Sequence, residues 1–105
     1  MAYFALFYYV VDCFVERRTP FRELHLAQAQ RATERGELVL AGALADPADT
    51  ALLVFRGESS DTARHFAETD PYVLNGLVER WEVRPWNVVV GTYANISAVS
   101  SKRGA

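Results

Sequence analysis

YFALFYYVV, at residues 3–11, is the stretch of this sequence that decides the fold. Aromatic and β-branched residues fill it, and such residues favour β-strands. Side chains alternate between the two faces of a strand, yet neither face of this one holds a charged residue. A layer of helices covers only one face of a sheet, and large bare apolar faces are rare on monomers. We therefore expect a second copy of the chain to cover the other face, with a long apolar ligand cavity in a monomer as the alternative.

A long helix is predicted after this strand. Residues 12–19 have the composition of a loop, and Thr19 is the expected N-cap. Pro20 suits the first helical position, where its missing N–H costs nothing. The helix is expected to end near Arg35, because Gly36 is a favoured residue just beyond a helix.

One face of this helix is apolar and includes a histidine. At about 100° per residue, His25 falls among Phe21, Leu24, Gln28 and Ala32. Leu26 lies off this face, so we expect it to contact a loop or another subunit.

The rest of the chain alternates strands with one further helix. Residues 37–44 (ELVLAGAL) and 50–55 form a predicted hairpin around a turn at 46–49. The fourth strand covers about 77–83, and 88–90 is expected to form a short fifth strand or a continuation.

The second helix is predicted from Ser59 or Ser60, either of which suits an N-cap, to Thr69. Its apolar face contains Ala63, Phe66 and Ala67. Asp70 ends it, since a residue that precedes proline avoids the helical region. The resulting order, βαββαβ, is that of a ferredoxin-like α+β fold, an antiparallel sheet with two helices on one face.

Composition limits the classes of function. The 105 residues carry a formal net charge of −2, which favours neither nucleic-acid binding nor a polybasic membrane anchor. No stretch reaches the length of a membrane span. One cysteine, Cys13, leaves no disulfide framework and no cysteine zinc cluster, and we expect a cytoplasmic protein. We predict one domain over residues 1–91 and a partly mobile tail over 92–105.

The residues with most potential for chemistry are His25 and Asp70. His65 falls on the solvent side of the second helix, whereas Asp70 falls on the buried side, near Ala67. A buried carboxylate needs a partner, and contact with His25 would fix one imidazole tautomer and leave the other nitrogen for general base catalysis. Two structural alternatives remain open: a core histidine bonded to a backbone carbonyl, and an aspartate that only caps the turn before proline.

Weaker candidates surround this pair. Arg17 and Arg18 could bind an anionic substrate, although charged loops are usually just solvated. Aromatic residues that could line a pocket, or simply belong to the core, are Tyr8, Tyr72 and Trp86. The scattered histidines and acids have no metal-ligand spacing, and Cys13 has no obvious activating neighbour.

Several motifs together resemble the YciI-like family. They are Arg17-Arg18, FRELHL at 21–26, GEL at 36–38, LAGAL at 40–44, DPYV at 70–73, GLV at 76–78 and VRPW at 83–86. The most specific are the His-Leu pair of the first helix and the DPYV stretch, and the match covers about residues 3–91. One departure is Ala43, where many relatives have proline.

The resemblance implies a dimeric α+β barrel in which two sheets face each other. It also implies an active site centred on a histidine and an aspartate, and His25 and Asp70 are the residues that match. Proteins with related barrels include enzymes that act on small organic molecules, many of them aromatic, and several of these enzymes need no cofactor.

Our leading hypothesis is therefore a homodimeric, cofactor-free enzyme that eliminates, dehydrates or isomerises a cyclic or aromatic metabolite. His25 would be the general acid/base and Asp70 the residue that orients it. The alternatives are a non-catalytic metabolite-binding or assembly module, and a cofactor-independent monooxygenase.

Overall fold

The computed structural model describes residues 2–92 and 94. Four strands, four helices and one 3₁₀ turn follow one another in this described part: β1 (Ala2–Val10), α1 (Phe14–Arg17), the 3₁₀ turn (Thr19–Phe21), α2 (Arg22–Glu34), β2 (Leu38–Ala43), β3 (Thr50–Gly57), α3 (Asp61–Thr69), α4 (Pro71–Leu74) and β4 (Val78–Trp86). Nearly all of the predicted tail lies outside the described residues.

The strands form one sheet in the order β2-β3-β1-β4, and every neighbouring pair is antiparallel. The apolar strand β1 lies in the interior of the sheet, where Leu6 pairs with Leu53 on one side and Val83 on the other. This topology confirms the ferredoxin-like α+β fold.

The core fills the space between one sheet face and the helices. The even-numbered residues of β1 from Phe4 to Val10 enter it, among them Leu6, which is fully buried. They pack with Phe55 of β3 and with the predicted apolar face of α3, which is Ala63, Phe66 and Ala67. Alternation along β1 thus sends one set of side chains toward the helices.

The opposite sheet face, here called the open face, has no helix against it in the described part of the chain. A shallow depression on it is lined by Ala5, Phe7, Leu52, Arg84, Pro85 and Trp86. Charged residues of β4 lie at one end, where the Arg80 guanidinium is 4.1 Å from the Tyr9 ring centroid. The Tyr9 hydroxyl donates a hydrogen bond of 2.8 Å to Glu82. Apart from these charged residues the open face is mainly apolar, as the sequence of β1 predicts.

Four predictions about the first helical region were wrong. The expected loop at 12–19 contains α1 and the start of the 3₁₀ turn, and α2 begins at Arg22 rather than at Pro20. Thr19 makes no capping hydrogen bond, since it is the first residue of the 3₁₀ turn and the N-cap position of α2 is occupied by Phe21. Leu24 is 62% exposed, since α2 turns Ala29 and Ala32 toward the core instead.

The prediction for residues 88–90 was also wrong. The chain continues β4 through Pro85 to Trp86 and then leaves the sheet. β4 is an edge strand, where a proline without an N–H is tolerated. No helix of the described residues is both long enough and apolar enough to cross a lipid bilayer.

The position of the core can be tested with two leucines. Leu6→Ala removes a fully buried side chain between β3 and β4 and should lower the free energy of unfolding by about 2–5 kcal/mol. Leu74→Ala makes the same change at an exposed site and should change it by less than about 0.5 kcal/mol. Urea denaturation of both variants measures the difference, and equal losses would contradict this packing.

Candidate functional site

Asp70 stands at the junction of α3 and α4, where the backbone is extended. Its Oδ1 accepts a hydrogen bond of 2.9 Å from the backbone N–H of Tyr72, so it caps α4 from the position before Pro71. It is the only charged side chain among the described residues that is fully buried. The capping role considered from the sequence is therefore present, but it leaves most of the carboxylate free for other donors.

Two side chains complete the environment of this carboxylate. His25 of α2 places Nδ1 at 3.0 Å from Oδ1 and 2.9 Å from Oδ2, and Tyr8 of β1 donates its hydroxyl hydrogen to Oδ2 at 2.8 Å. An ionised carboxylate only accepts hydrogen bonds, so the Nδ1 of His25 is the protonated nitrogen. The predicted contact between His25 and Asp70 is present in the structure.

Aromatic rings hold the imidazole of His25 in place. It stacks on Tyr72 with centroids 4.0 Å apart and planes inclined by 12°, and it meets the edge of Phe66 at 6.3 Å. The side chain remains 15% exposed. With Nδ1 occupied, Nε2 is the nitrogen left for chemistry, and no residue in the described ranges forms a hydrogen bond with it.

Tyr8 is a hydrogen-bond donor that resists ionisation. Burial raises the pKa of its phenol, and the negative charge of Asp70 and the hydrogen bond to it raise that pKa further. The hydroxyl therefore stays protonated and continues to donate to Asp70 across the neutral and mildly alkaline range.

A cavity of about 530 Å³ opens beside His25, between α2 and β2. Small side chains of the sheet, including Ala41, Ala43 and Ala51, form an apolar floor, and Arg18 and Arg22 supply positive charge. The other lining residues are Tyr8, Phe14, His25, Leu26, Ala29, Gln30, Thr33, Leu38, Leu40, Gly42, Leu53 and Tyr72. A ring-sized molecule with a negative charge fits this combination of size, floor and charge.

Only some of the predicted pocket residues line this cavity. Tyr8, Tyr72 and Arg18 line the cavity, but Arg17 is exposed on α1 and does not. Trp86 is 45% exposed and lies on the open face. It pairs with Tyr3, an odd-numbered residue of β1, so its side chain points away from the helices. Arg17 and Trp86 therefore do not line this cavity.

Arg22, which lines the cavity, is not among the candidate residues that the sequence suggested. Leu26, which was expected to contact a loop or another subunit, lines the cavity as well. The available signal was spacing, because Arg18, Arg22, Leu26, Ala29 and Thr33 recur every three or four residues beside His25. Within residues 2–92 and 94, no three histidine, cysteine, aspartate or glutamate side chains form a group that could hold a metal ion.

Comparison with known proteins tests the resemblance. The family model for the YCII-related domain matches residues 1–87. The chain belongs to this family. Protein YciI of Escherichia coli O6:H1 is 33% identical over 84 residues, which cover 71% of this chain and 86% of the relative. Protein YciI of Shigella flexneri matches to the same extent.

Solved structures share the fold at low sequence identity. The 5-chloro-2-hydroxyhydroquinone dehydrochlorinase of Burkholderia phenoliruptrix AC1100, in complex with 2,5-dihydroxybenzoquinone, superposes with a TM-score of 0.69 at 19% identity, covering 89% of this chain and 99% of its own. A NIPSNAP family protein of Agrobacterium tumefaciens gives a TM-score of 0.54 at 15% identity, covering 90% and 96%. At these identities the likeness establishes the fold alone.

The hydrogen bond from Tyr8 to Asp70 predicts a specific pH dependence. At pH 7, Tyr8→Phe should lower the free energy of unfolding by about 1 kcal/mol, because the bond is lost. A tyrosine ionises near pH 10 when the chain is unfolded, whereas folded Tyr8 resists ionisation. The contribution of Tyr8 is therefore complete below pH 10 and falls by roughly 1.4 kcal/mol per pH unit above it.

The difference between wild type and Tyr8→Phe should thus shrink between pH 10 and pH 11. Urea denaturation at half-unit steps from pH 8 measures it, and the remaining tyrosines are common to both proteins. A difference that stays constant through this range would contradict the proposed environment of Tyr8.

Proposed function

We propose that this chain is a small-molecule enzyme in which His25 transfers a proton on a cyclic or aromatic metabolite, leading to elimination, dehydration or isomerisation. One observation supports this above all. The imidazole is held at Nδ1 by a fully buried carboxylate, while its ring forms part of a cavity wall.

The roles of the two residues follow from their hydrogen bonds. Donation from Nδ1 to Asp70 leaves the lone pair of His25 on Nε2, which accepts a proton from substrate carbon. The positive imidazolium that forms lies next to the negative charge of Asp70, which stabilises it. Tyr8 and the backbone of Tyr72 hold the carboxylate, so it cannot rotate away when the charge of His25 changes.

The cavity supports a flat, anionic substrate. The alanine floor leaves space for a ring, and the guanidinium groups of Arg18 and Arg22 attract a negatively charged oxygen. The dehydrochlorinase with the same fold acts on a chlorinated hydroxyhydroquinone, as its name states. Loss of hydrogen chloride from a ring is one case of the elimination proposed here, and groups of the chain alone suffice for the proton transfer.

His25 and His65 provide a matched test of this function. His25→Gln keeps a polar side chain but removes the base, so turnover should fall by roughly 10²-fold or more. His65→Gln makes the same change on an exposed surface and should leave turnover as in wild type. Assays of hydroxylated and chlorinated hydroquinones measure ring absorbance and chloride release, and circular dichroism checks that each variant is folded.

The result also separates the alternatives. Turnover that survives in His25→Gln would rule out the proposed mechanism. Binding without turnover in the wild type, retained in His25→Gln, would indicate a metabolite-binding module. Oxygen uptake that accompanies turnover would indicate a cofactor-independent monooxygenase instead of simple proton transfer.

We further propose that the chain forms a homodimer in which a second copy covers the open face, giving an α+β barrel of two facing sheets. The apolar side chains of Phe7, Leu52 and Trp86 support this, since together they would leave a hydrophobic patch in water. Charged residues at the end of β4, such as Arg80 and Glu82, would suit the polar rim of such an interface.

Light scattering of the chain at micromolar concentration tests the dimer. The wild type should have twice the chain mass of 11.8 kDa. Leu52→Arg buries a charge in the proposed interface and should yield monomer or precipitate, whereas Leu74→Arg, on exposed α4, should remain dimeric. A stable wild-type monomer would contradict the proposal.

A further inference from the structure

The hydroxyl group of Tyr72 is buried, and its hydrogen has no acceptor among the described residues. The residue as a whole is only 3% exposed. Buried tyrosine hydroxyls usually have partners, because an unpaired polar group loses its hydration without compensation. An orphaned hydroxyl on a cavity wall is therefore a sign that a ligand completes its hydrogen bonding.

The position of this hydroxyl is tightly fixed. The Tyr72 ring stacks on His25 on one side and meets Phe14 edge-on, with centroids 5.3 Å apart. Its backbone N–H is bound to Asp70 at the start of α4. Both of the rings that it touches line the cavity, so the hydroxyl is held beside the space where His25 would act.

Nearby groups cannot accept the hydrogen of this hydroxyl. Burial raises the pKa of the Tyr72 phenol, and it outweighs the positive charges of Arg22 and Arg18 and the contact from the Arg22 donor to the phenol oxygen, which lower that pKa. Tyr72 therefore remains a neutral donor. Arginine has only donors, and the Asp70 carboxylate already receives hydrogen bonds from His25, Tyr8 and the Tyr72 backbone.

We propose that Tyr72 Oη, together with Arg22 and Arg18, forms the oxyanion site of this enzyme and selects substrates that carry an anionic ring oxygen. This inference rests on the proposed function and adds to it the groups that bind the substrate. All three residues line the same cavity, and only an acceptor, best a negatively charged one, can receive hydrogen bonds from a hydroxyl and two guanidinium groups together.

The site would act during proton transfer as well as in binding. His25 Nε2 takes the proton from a ring carbon, and the electron pair of the broken C–H bond moves through the ring onto the adjacent carbonyl oxygen, forming an enolate. The Tyr72 hydroxyl and the guanidinium groups stabilise this oxygen. When the pair returns to form the new double bond, the leaving group departs from the neighbouring carbon with the electrons of its own bond. The proton on His25 then passes to that group or to water.

Equilibrium binding tests the oxyanion site without requiring turnover. The probes are 2,5-dihydroxybenzoquinone, which ionises, and 2,5-dimethoxybenzoquinone, a ring of similar shape that cannot ionise. Calorimetry with the wild-type protein should show tighter binding of the ionising probe. Tyr72→Phe keeps both ring contacts and should weaken binding of that probe by about tenfold, because a hydrogen bond to a charged group is lost.

Arginine variants provide the matched control. Arg22→Gln should also weaken binding of the ionising probe by about tenfold. The double variant with Tyr72→Phe should lose less affinity than the product of the two single losses, since both groups bind the same oxygen. Arg17→Gln changes an exposed arginine outside the cavity and should bind as wild type does. Tyr72→Phe should leave the melting temperature nearly unchanged, because the hydroxyl that it removes donates to no acceptor among the described residues.

Three results would overturn the inference: no preference of the wild type for the ionising probe, unchanged anion affinity in Tyr72→Phe, or a lowered melting temperature in that variant with unchanged affinity. Failure of the proposed function is distinguishable from these. His25→Gln should bind the ionising probe within a few-fold of the wild-type affinity. If the wild type shows no turnover but its binding of that probe still depends on Tyr72, the proposed reaction is wrong and the proposed oxyanion site stands.

Discussion

The carboxylate of Asp70 receives hydrogen bonds from a strand, a long helix and a short helix at once. Burying an ionised carboxylate is costly unless each of its oxygens is paired. The packing of α2 and α4 against β1 must therefore satisfy this one group, and the same contacts determine which nitrogen of His25 faces the cavity. The stability of the fold and the tautomer of the proposed base depend on a single arrangement.

The apolar β1 makes this arrangement possible. Leu6 and its even-numbered neighbours create the dry environment into which Tyr8 reaches Asp70. In such an environment the hydrogen bonds to the carboxylate are stronger than they would be in water. The cavity lies at the edge of this buried region, beside the small residues Ala41 and Ala43 of β2, which the helices leave exposed.

Much of this could be predicted from the sequence. Alternation and helical periodicity gave the order of elements, and the positions of His25 and Asp70 on buried faces indicated their contact. Trp86 could also have been placed correctly, since it shares the parity of Arg84 along β4, but only if the strand is continued through Pro85. The alternation along β4 therefore indicates the face of Trp86, but Pro85 suggests that the strand ends before it.

Arg17 and Arg18 are a different case. They are adjacent, and whether one or the other reaches the cavity depends on how α1 and the 3₁₀ turn orient the entry to α2. Those short elements are fixed by tertiary contacts, such as the burial of Phe14, more than by local propensity. The orphaned hydroxyl of Tyr72 depends on the full three-dimensional environment and has no signature in a linear pattern.

The two-residue repeat of β1 has a consequence for how this chain can change over time. Tyr8 belongs to the face that contacts Asp70, while its neighbours Phe7 and Tyr9 belong to the open face. Point substitutions can therefore diversify one face without touching the other. An insertion or deletion of one residue within β1 would instead exchange the two faces, so the length of this strand is constrained more strictly than the identity of any one of its side chains.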